Sequence, residues 1–367
     1  MANKILSERI STTFLGNHFF LNELQSILEE SEDPQSLIKA SNPKSGDRLV
    51  HLASRHGRVE ILSLLSKYGA DFEAGNLDGK RPLHEAAASS KVTSVQFLLS
   101  VNVSVDCLKR ADWTPLMLAC AKKNIEIIKE LVNAGADLNL KNKDGWTCFH
   151  IASREGHVDI LSYLHDCNDS LWETVSKNGR TPLHTAALHG RLEACEFLLT
   201  RCHFPVDVQD SCGSTPLMDA ARAGFPEVVD KLINLHHADV RKCDVLGRQA
   251  IHLASQAGEC GVIQYLLKEQ NISVNSISQP SSLTPLHFAS KEGRTDAISY
   301  LLQEGADANI QDSKGRTALH MAAGSQNVDS IRLLLYSGAK IIPDKKGVKP
   351  NTLATNNFAK MLFDEIS

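Results

Sequence analysis

A four-residue motif ending in histidine or methionine recurs along this chain at nearly constant intervals. It is written RPLH at 81–84, TPLM at 114–117, TPLH at 181–184 and TALH at 317–320. Its last residue stands at nine positions: His51, His84, Met117, His150, His184, Met218, His252, His287 and His320. Successive positions are 33 to 35 residues apart, and a weak final copy, GVKPNTLA, follows. A period of this length predicts short supersecondary units that stack, because one such unit alone cannot bury its apolar face.

The residues of one unit predict two short helices. Thr181 can cap the first helix through its hydroxyl group, and Pro182 suits the first helical position. We expect His184 to hydrogen-bond the backbone of the neighbouring unit. Gly190 predicts the end of the first helix, and the second helix follows with residues 197–199 as its buried face. The seven histidines of the motif are therefore interpreted as structural residues and not as metal ligands.

The motif resembles the ankyrin repeat, and RTPLHTAALHG (180–190) is close to the consensus of that family. The resemblance implies an all-α repeat solenoid of helix–turn–helix units with β-hairpins, with about nine full units and terminal caps. We expect an N-terminal capping helix and connection over 1–44, the repeat solenoid over 45–346 and a C-terminal cap over 347–367. No linker divides the chain, so we expect one elongated, curved molecule.

Composition and single motifs narrow the function further. The net charge of −4 argues against nucleic-acid binding by the whole molecule. Nine scattered cysteines without a C-x-x-C pair predict a reduced, intracellular protein. We expect it in the cytoplasm, with the nucleus as a second compartment. The start of the sequence lacks the pattern of a secretory signal, and no apolar run is long enough to cross a membrane. No nucleotide-binding, metalloprotease or hydrolase motif is present. We therefore expect a non-enzymatic, monomeric protein without metal or cofactor.

Two tryptophans stand out at the position directly before the motif. In most units this position is polar or charged, but Trp113 and Trp146 occupy it in adjacent units. One interpretation is that they anchor a protein partner, because Trp is enriched at binding hot spots. The other is that they pack on each other and on neighbouring hairpins.

Basic residues surround the tryptophans. The candidates for partner binding besides the tryptophans are Arg110, Lys141 and Arg180, and Lys109 and Lys143 lie on the same hairpins. These charges form either a solvated face or a basic, aromatic pocket for an acidic partner surface or a phosphate-bearing ligand.

Segments that depart from the consensus resemble one group within the ankyrin family. They are KRPLHEAA (80–87), VDCLKRADWTPLM (105–117), LKNKDGW (140–146) and CFHIASREG (148–156). The resemblance implies a co-regulator of alanyl-tRNA synthetase, which binds the catalytic domain of the synthetase and limits the mischarging of alanine tRNA with serine. It further implies that misactivated serine is accepted on lysine side chains.

The same resemblance assigns the candidate serine acceptors. Lys143 matches a lysine of that group. Arg110 and Glu173 stand where the group has lysine, and Lys109 lies next to Arg110. The candidate acceptors are therefore Lys143 and Lys109.

Two other functions remain open. The chain could be a general ankyrin scaffold or adaptor that binds another protein through its concave face. Alternatively, Asn139 and Asn309 lie in hairpins that resemble those recognised by asparaginyl hydroxylase, which would make the chain a substrate of a modifying enzyme.

Overall fold

The computed structural model describes residues 19–366. Residues 1–18, which include the first residue of the expected N-terminal capping helix, lie outside the described residues. The chain divides into two compact units, and the boundary in the sequence lies between Lys177 and Asn178. Each unit is described by itself.

The described part of the first unit, from residue 19 onward, contains five pairs of α-helices. We number the repeats from the first full pair. The bounds are Phe19–Glu30 with Pro34–Lys39, then repeat 1 (Leu49–His56, Val59–Lys67), repeat 2 (Pro82–Ala88, Val92–Ser100), repeat 3 (Pro115–Ala121, Ile125–Asn133) and repeat 4 (Cys148–Glu155, Val158–Cys167). Two short 3-10 helices, Arg110–Asp112 and Asp169–Glu173, lie between the pairs.

The second unit contains six pairs. They are repeat 5 (Pro182–Leu188, Leu192–Thr200), repeat 6 (Pro216–Ala223, Pro226–Asn234), repeat 7 (Ala250–Ala257, Cys260–Lys268), repeat 8 (Pro285–Lys291, Thr295–Gln303), repeat 9 (Ala318–Gly324, Val328–Tyr336) and a terminal pair (Pro350–Leu353, Asn357–Ile366). The described residues contain no β-strand, and the hairpins between repeats are turns with isolated bridges. The prediction of an all-α repeat solenoid with nine full helix pairs is confirmed.

Repeat 5 shows the predicted cap, proline and end of the first helix. Of the predicted buried face of the second helix, Phe197 and Leu198 are buried, but Leu199 is half-buried. The Thr181 hydroxyl accepts the backbone N–H of His184, and Pro182 occupies the first turn. Ala186 and Ala187 are fully buried, so the first helices of neighbouring repeats approach closely. Gly190 has a φ of +65°, and a Cβ atom there would lie 2.5 Å from the ring of Phe225.

Six motif histidines contact the hairpin that precedes the next helix pair of their own unit, as predicted. In repeat 5, Nδ1 of His184 accepts the backbone N–H of Thr181 at 3.2 Å, and Nε2 lies 2.9 Å from the carbonyl oxygen of Ser214. The same pair of contacts recurs for His51, His84, His252, His287 and His320. Because Nδ1 accepts a hydrogen bond, the ring proton must lie on Nε2, which donates it to the carbonyl oxygen.

Backbone hydrogen bonds also connect successive hairpins. In the first unit, the N–H groups of Leu77, Arg110, Lys143 and Lys177 donate to the carbonyl oxygens of Ser45, Asp78, Ala111 and Asp144, at 2.9 to 3.0 Å. This ladder fixes the hairpin tips at equivalent positions in neighbouring repeats, so residues at one tip lie beside their counterparts at the next.

The N-terminal connection differs from the sequence prediction. The sequence predicts one capping helix and a connection over 1–44, but the structure has a second helix in this range, Pro34–Lys39. Asp33 caps this helix by accepting the N–H of Ser36 at 3.1 Å, and Leu37 and Ile38 are buried. The segment lacks the four-residue motif, so the repeat pattern gave no signal for this helix.

Candidate functional site

The hairpin before repeat 3 places Lys109 opposite Trp113. The backbone N–H of Lys109 donates to the carbonyl oxygen of Trp113 at 3.1 Å, and Asp112 N–H donates to the carbonyl of Lys109 at 2.9 Å. Ala111 and Asp112 both have a positive φ, of 66° and 59°. His84 from repeat 2 bonds the Trp113 carbonyl at 3.0 Å. The tight turn and the histidine together fix the position of this tryptophan.

The ammonium group of Lys109 lies over the indole ring of Trp113. Its Nζ atom is 5.5 Å from the ring centroid, a distance suited to a cation–π contact. Partial burial lowers the pKa of Lys109, and the nearby ammonium of Lys80 lowers this pKa further. A larger fraction of neutral amine is therefore present on Lys109 than on an ordinary exposed lysine.

Trp146 is held in the equivalent place of repeat 4. Its backbone N–H donates to the side-chain oxygen of Asn142 at 2.9 Å. The ring stacks on His150, with centroids 6.2 Å apart and planes 16° from parallel. The guanidinium of Arg154 lies 5.7 Å from the ring centroid. Both tryptophans are half-buried, and within residues 19–366 no ring contact joins Trp113 to Trp146.

The other basic candidates of the first unit differ in how firmly they are held. Arg110 is exposed over 74% of its side chain and lies 3.7 Å from a carboxylate oxygen of Asp78. Lys141 donates from Nζ to the carbonyl oxygen of Val175 at 3.0 Å. Lys143 is exposed, and its ammonium forms no ion pair with any described residue. At these successive hairpin tips, Lys143 therefore has no ion-pair partner among the described residues, whereas Arg110 is exposed and loosely paired with Asp78.

The sequence did not predict the buried carboxylate of Glu85 in repeat 2. Glu85 is only 2% exposed, and its Oε2 accepts a hydrogen bond from Nε of Arg55 at 2.8 Å. Arg55 also pairs with the buried Asp47 at 2.8 Å. The Nζ atom of Lys80 lies 3.6 Å from Oε1 of Glu85. One sequence feature could have indicated it: Glu85 is an acidic residue directly after the motif, where most repeats have an apolar residue.

Arg180 lies in the second unit and takes part in a buried network. Its side chain is 18% exposed, and its guanidinium pairs with Asp210 at 3.3 Å and with the fully buried Asp219. Arg222 holds the other oxygen of Asp219 at 3.0 Å. Burial raises the pKa of Asp219, although the two arginines oppose that shift. The structure thus places Arg180 in a largely buried ion-pair cluster.

The remaining candidates lie on hairpins. Glu173 is exposed at the end of a 3-10 helix, and Asn139 is exposed in the turn after repeat 3. Asn309 is half-buried, and its side-chain oxygen accepts the backbone N–H of Lys340 at 2.8 Å. Cys120, Cys148 and Cys195 are buried core residues.

The described part of the chain offers no site for a metal ion. Among residues 19–366 there is no group of three or more His, Cys, Asp or Glu side chains arranged for metal binding. No helix in this part is both long enough and apolar enough to span a bilayer.

Comparison with protein families identifies the repeats. The family model described as ankyrin repeats (3 copies) matches residues 19–110, 90–172, 116–206, 202–278 and 274–344. Together these matches cover nearly all of the described residues.

Individual relatives match shorter parts of the chain. The chain is 37% identical to the mouse Ankyrin repeat domain-containing protein 37 over 89 residues, which is 24% of this chain and 56% of that protein. It is 38% identical over 63 residues to a Caenorhabditis briggsae protein named Ankyrin repeat and KH domain-containing protein CBG24701, 17% of this chain and 2% of that protein. It is 32% identical over 84 residues to Palmitoyltransferase AKR1 of Lachancea kluyveri, 23% of this chain and 11% of that protein. The matches span little more than half of the mouse relative and small fractions of the other two.

Proposed function

Since the chain belongs to the ankyrin repeat family, we propose that it is a non-enzymatic, protein-binding co-regulator of alanyl-tRNA synthetase. It would bind the catalytic domain of the synthetase as a monomer, without direct contact to nucleic acid or membrane. Its role would be to limit the mischarging of alanine tRNA with serine. The cytoplasm is the proposed compartment, with the nucleus as a second one. The off-consensus segments at 80–87, 105–117, 140–146 and 148–156 resemble ankyrin repeat domain-containing protein 16, and this resemblance supports the named partner.

The observation that carries a binding role is the pair of tryptophans in the first unit. Trp113 and Trp146 are half-buried, and each has a basic side chain against its ring, from Lys109 and Arg154. Because they do not pack on each other, each ring keeps surface available for a partner. Partly exposed aromatic rings beside fixed cations suit the centre of a protein interface.

The two proposed serine acceptors differ in pKa and in exposure. An aminoacyl adenylate is a mixed anhydride, and a neutral amine attacks its carbonyl carbon. The N–C bond forms, the bond from carbonyl carbon to phosphate oxygen breaks, AMP leaves and the surplus proton passes to solvent. A free lysine, with a pKa near 10.4, is almost wholly protonated at neutral pH. Lys109 has the lowered pKa, whereas Lys143 has the better access to a large reactant. We propose that Lys109 reacts faster where both are reachable.

The acceptor role is tested by mass spectrometry. The full chain is incubated with alanyl-tRNA synthetase, serine and ATP, then digested and searched for serine added to lysines. We expect adducts on Lys109 and Lys143, and a matched reaction without synthetase should give none. If neither lysine carries serine, the acceptor role is wrong. If, in addition, the synthetase is not retained by the immobilised chain, the co-regulator proposal fails as a whole.

A general adaptor role is the second candidate. It is favoured by the matches to relatives that share only ankyrin repeats with this chain. In that case an unbiased interaction screen should return a dominant partner other than the synthetase. That partner should be lost with Trp113→Ala and with Trp146→Ala.

A further inference from the structure

The two units contain similar networks of buried charge, and in the first unit a further lysine, Lys109, lies near the network. In the second unit, the carboxylates of Asp210 and Asp219 face the guanidinium groups of Arg180 and Arg222. Two negative charges therefore meet two positive charges, and Asp219 is fully buried. This cluster has no cation left over for an outside group.

In the first unit, a single arginine, Arg55, pairs with both buried carboxylates. Arg55 bonds Oδ2 of Asp47 and Oε2 of Glu85, both at 2.8 Å. The other oxygen of Glu85 is buried and accepts no hydrogen bond, and Lys80 lies 3.6 Å from it. Lys80 is thus only loosely paired.

Lys109 has no carboxylate within ion-pair distance among the described residues. The charged groups that shift the pKa of Lys109 include Lys80, Asp78, Arg110 and Glu85. Asp78 lies beside Arg110, at 3.7 Å, and Glu85 is engaged by Arg55. Lys109 is therefore a half-buried cation that rests on Trp113 without an anionic partner. A half-buried charge without a partner is unfavourable, and an outside anion would relieve that cost.

We propose that Lys109, Lys80 and Trp113 form a subsite that receives the carboxylate of one acidic side chain from a protein partner. The inference rests on the proposed protein-binding function, but not on the identity of the partner. The carboxylate would lie between the two ammonium groups. The apolar residue next to it in the partner would contact the exposed part of the Trp113 ring.

Charge around the subsite favours a single carboxylate over a polyphosphate chain. Asp78 and Asp112 lie on the same pair of hairpins, and Glu85 lies beneath them. A nucleic-acid backbone following these hairpins would bring its phosphates against those carboxylates. One acidic side chain needs only the position between Lys80 and Lys109.

The test uses the full chain as bait for a displayed library of random peptides. Wild type should enrich peptides that carry Asp or Glu beside Leu, Phe or Trp. Synthetic copies of the enriched peptides should bind Lys109→Gln about tenfold more weakly than wild type, which is the loss expected for one charge-assisted contact. Lys80→Gln should weaken binding in the same direction, and Lys109→Arg should bind nearly as well as wild type. Lys122→Gln, which removes an exposed lysine after the first helix of repeat 3, is the matched control and should bind like wild type.

Several results would overturn the subsite. One is a library in which no acidic position is enriched. Another is equal binding by Lys109→Gln and wild type, with thermal unfolding confirming that both are folded. A third is a labelled single-stranded RNA that binds wild type and is lost in Lys109→Gln, which would assign the site to a polyanion. Because the synthetase is absent from these experiments, their failure is distinguishable from failure of the proposed function.

Discussion

Mild acid should destabilise the first unit through its motif histidines. In repeat 2, Nδ1 of His84 accepts the backbone N–H of Arg81 at 3.1 Å, and Nε2 bonds the carbonyl of Trp113 at 3.0 Å. A second ring proton would sit on Nδ1, directly against that N–H group. Burial lowers the pKa of His84 to about 4, and burial also lowers the pKa of His51.

The magnitude follows from the difference between the folded and unfolded states. An unfolded histidine has a pKa near 6.5, so between pH 6.5 and 4 the unfolded state binds more protons than the folded state. The free energy of unfolding therefore falls as the pH falls from 6.5 to 4. Above pH 6.5 the contribution of the histidine is fully present. The contribution of His84 is about 3 kcal/mol, of which about 2 kcal/mol is lost by pH 5. His51 adds to the loss in the same direction.

The chain provides its own probe for this effect. All three tryptophans, Trp113, Trp146 and Trp172, belong to the first unit, so fluorescence during urea unfolding reports on that unit. Wild type should unfold at lower urea at pH 5 than at pH 7.5. His84→Gln should be less stable at neutral pH, and its pH dependence over this range should be smaller by about 2 kcal/mol.

His237→Gln is the control, because His237 is exposed and lies in the second unit. It should keep the wild-type pH dependence. Equal wild-type stability at pH 5 and 7.5 would refute the reasoning, and so would an unchanged pH dependence in His84→Gln.

Three further perturbations test individual contacts. Asp219→Asn removes the charge that pairs with two arginines, so the free energy of unfolding should fall by about 3 kcal/mol. Urea unfolding followed by circular dichroism measures this loss. Asp329→Asn, at an exposed aspartate, is the control and should change the free energy of unfolding little. Thr181→Ala removes a helix cap and should cost about 1 kcal/mol in the same assay; an unchanged midpoint would show that the hydroxyl is dispensable. Lys80→Gln should raise the pKa of Lys109 towards the ordinary lysine value, as measured by NMR titration of its side chain, and an unchanged pKa would exclude Lys80 as a cause.

Most of the fold was predictable because each unit repeats a local pattern. The capping threonine, the proline after it and the bridging histidine are encoded within four residues, as His184 and Thr181 illustrate. Nine copies of one motif confirm one another in a way that a single motif cannot. The helix Pro34–Lys39 was missed because it lies where the motif is absent.

The candidate site was predictable only in part. The sequence places Lys109 and Lys143 on equivalent hairpins, but it does not distinguish an ammonium held over Trp113 from one that stands in solvent. The role of Glu85 depends on Arg55, which is 30 residues away in another repeat. Contacts between repeats depend on side-chain conformation as well as register, so the period alone does not reveal which charges remain unpaired.

The central claim is that the first unit binds alanyl-tRNA synthetase around its two tryptophans. Titration calorimetry of the full chain against the catalytic domain of the synthetase tests this most directly. We predict a saturable complex that Trp113→Ala weakens by about tenfold or more, as expected for a hot-spot aromatic residue, while Lys122→Gln binds like wild type. The absence of binding, or equal affinity for Trp113→Ala and wild type, would contradict the account.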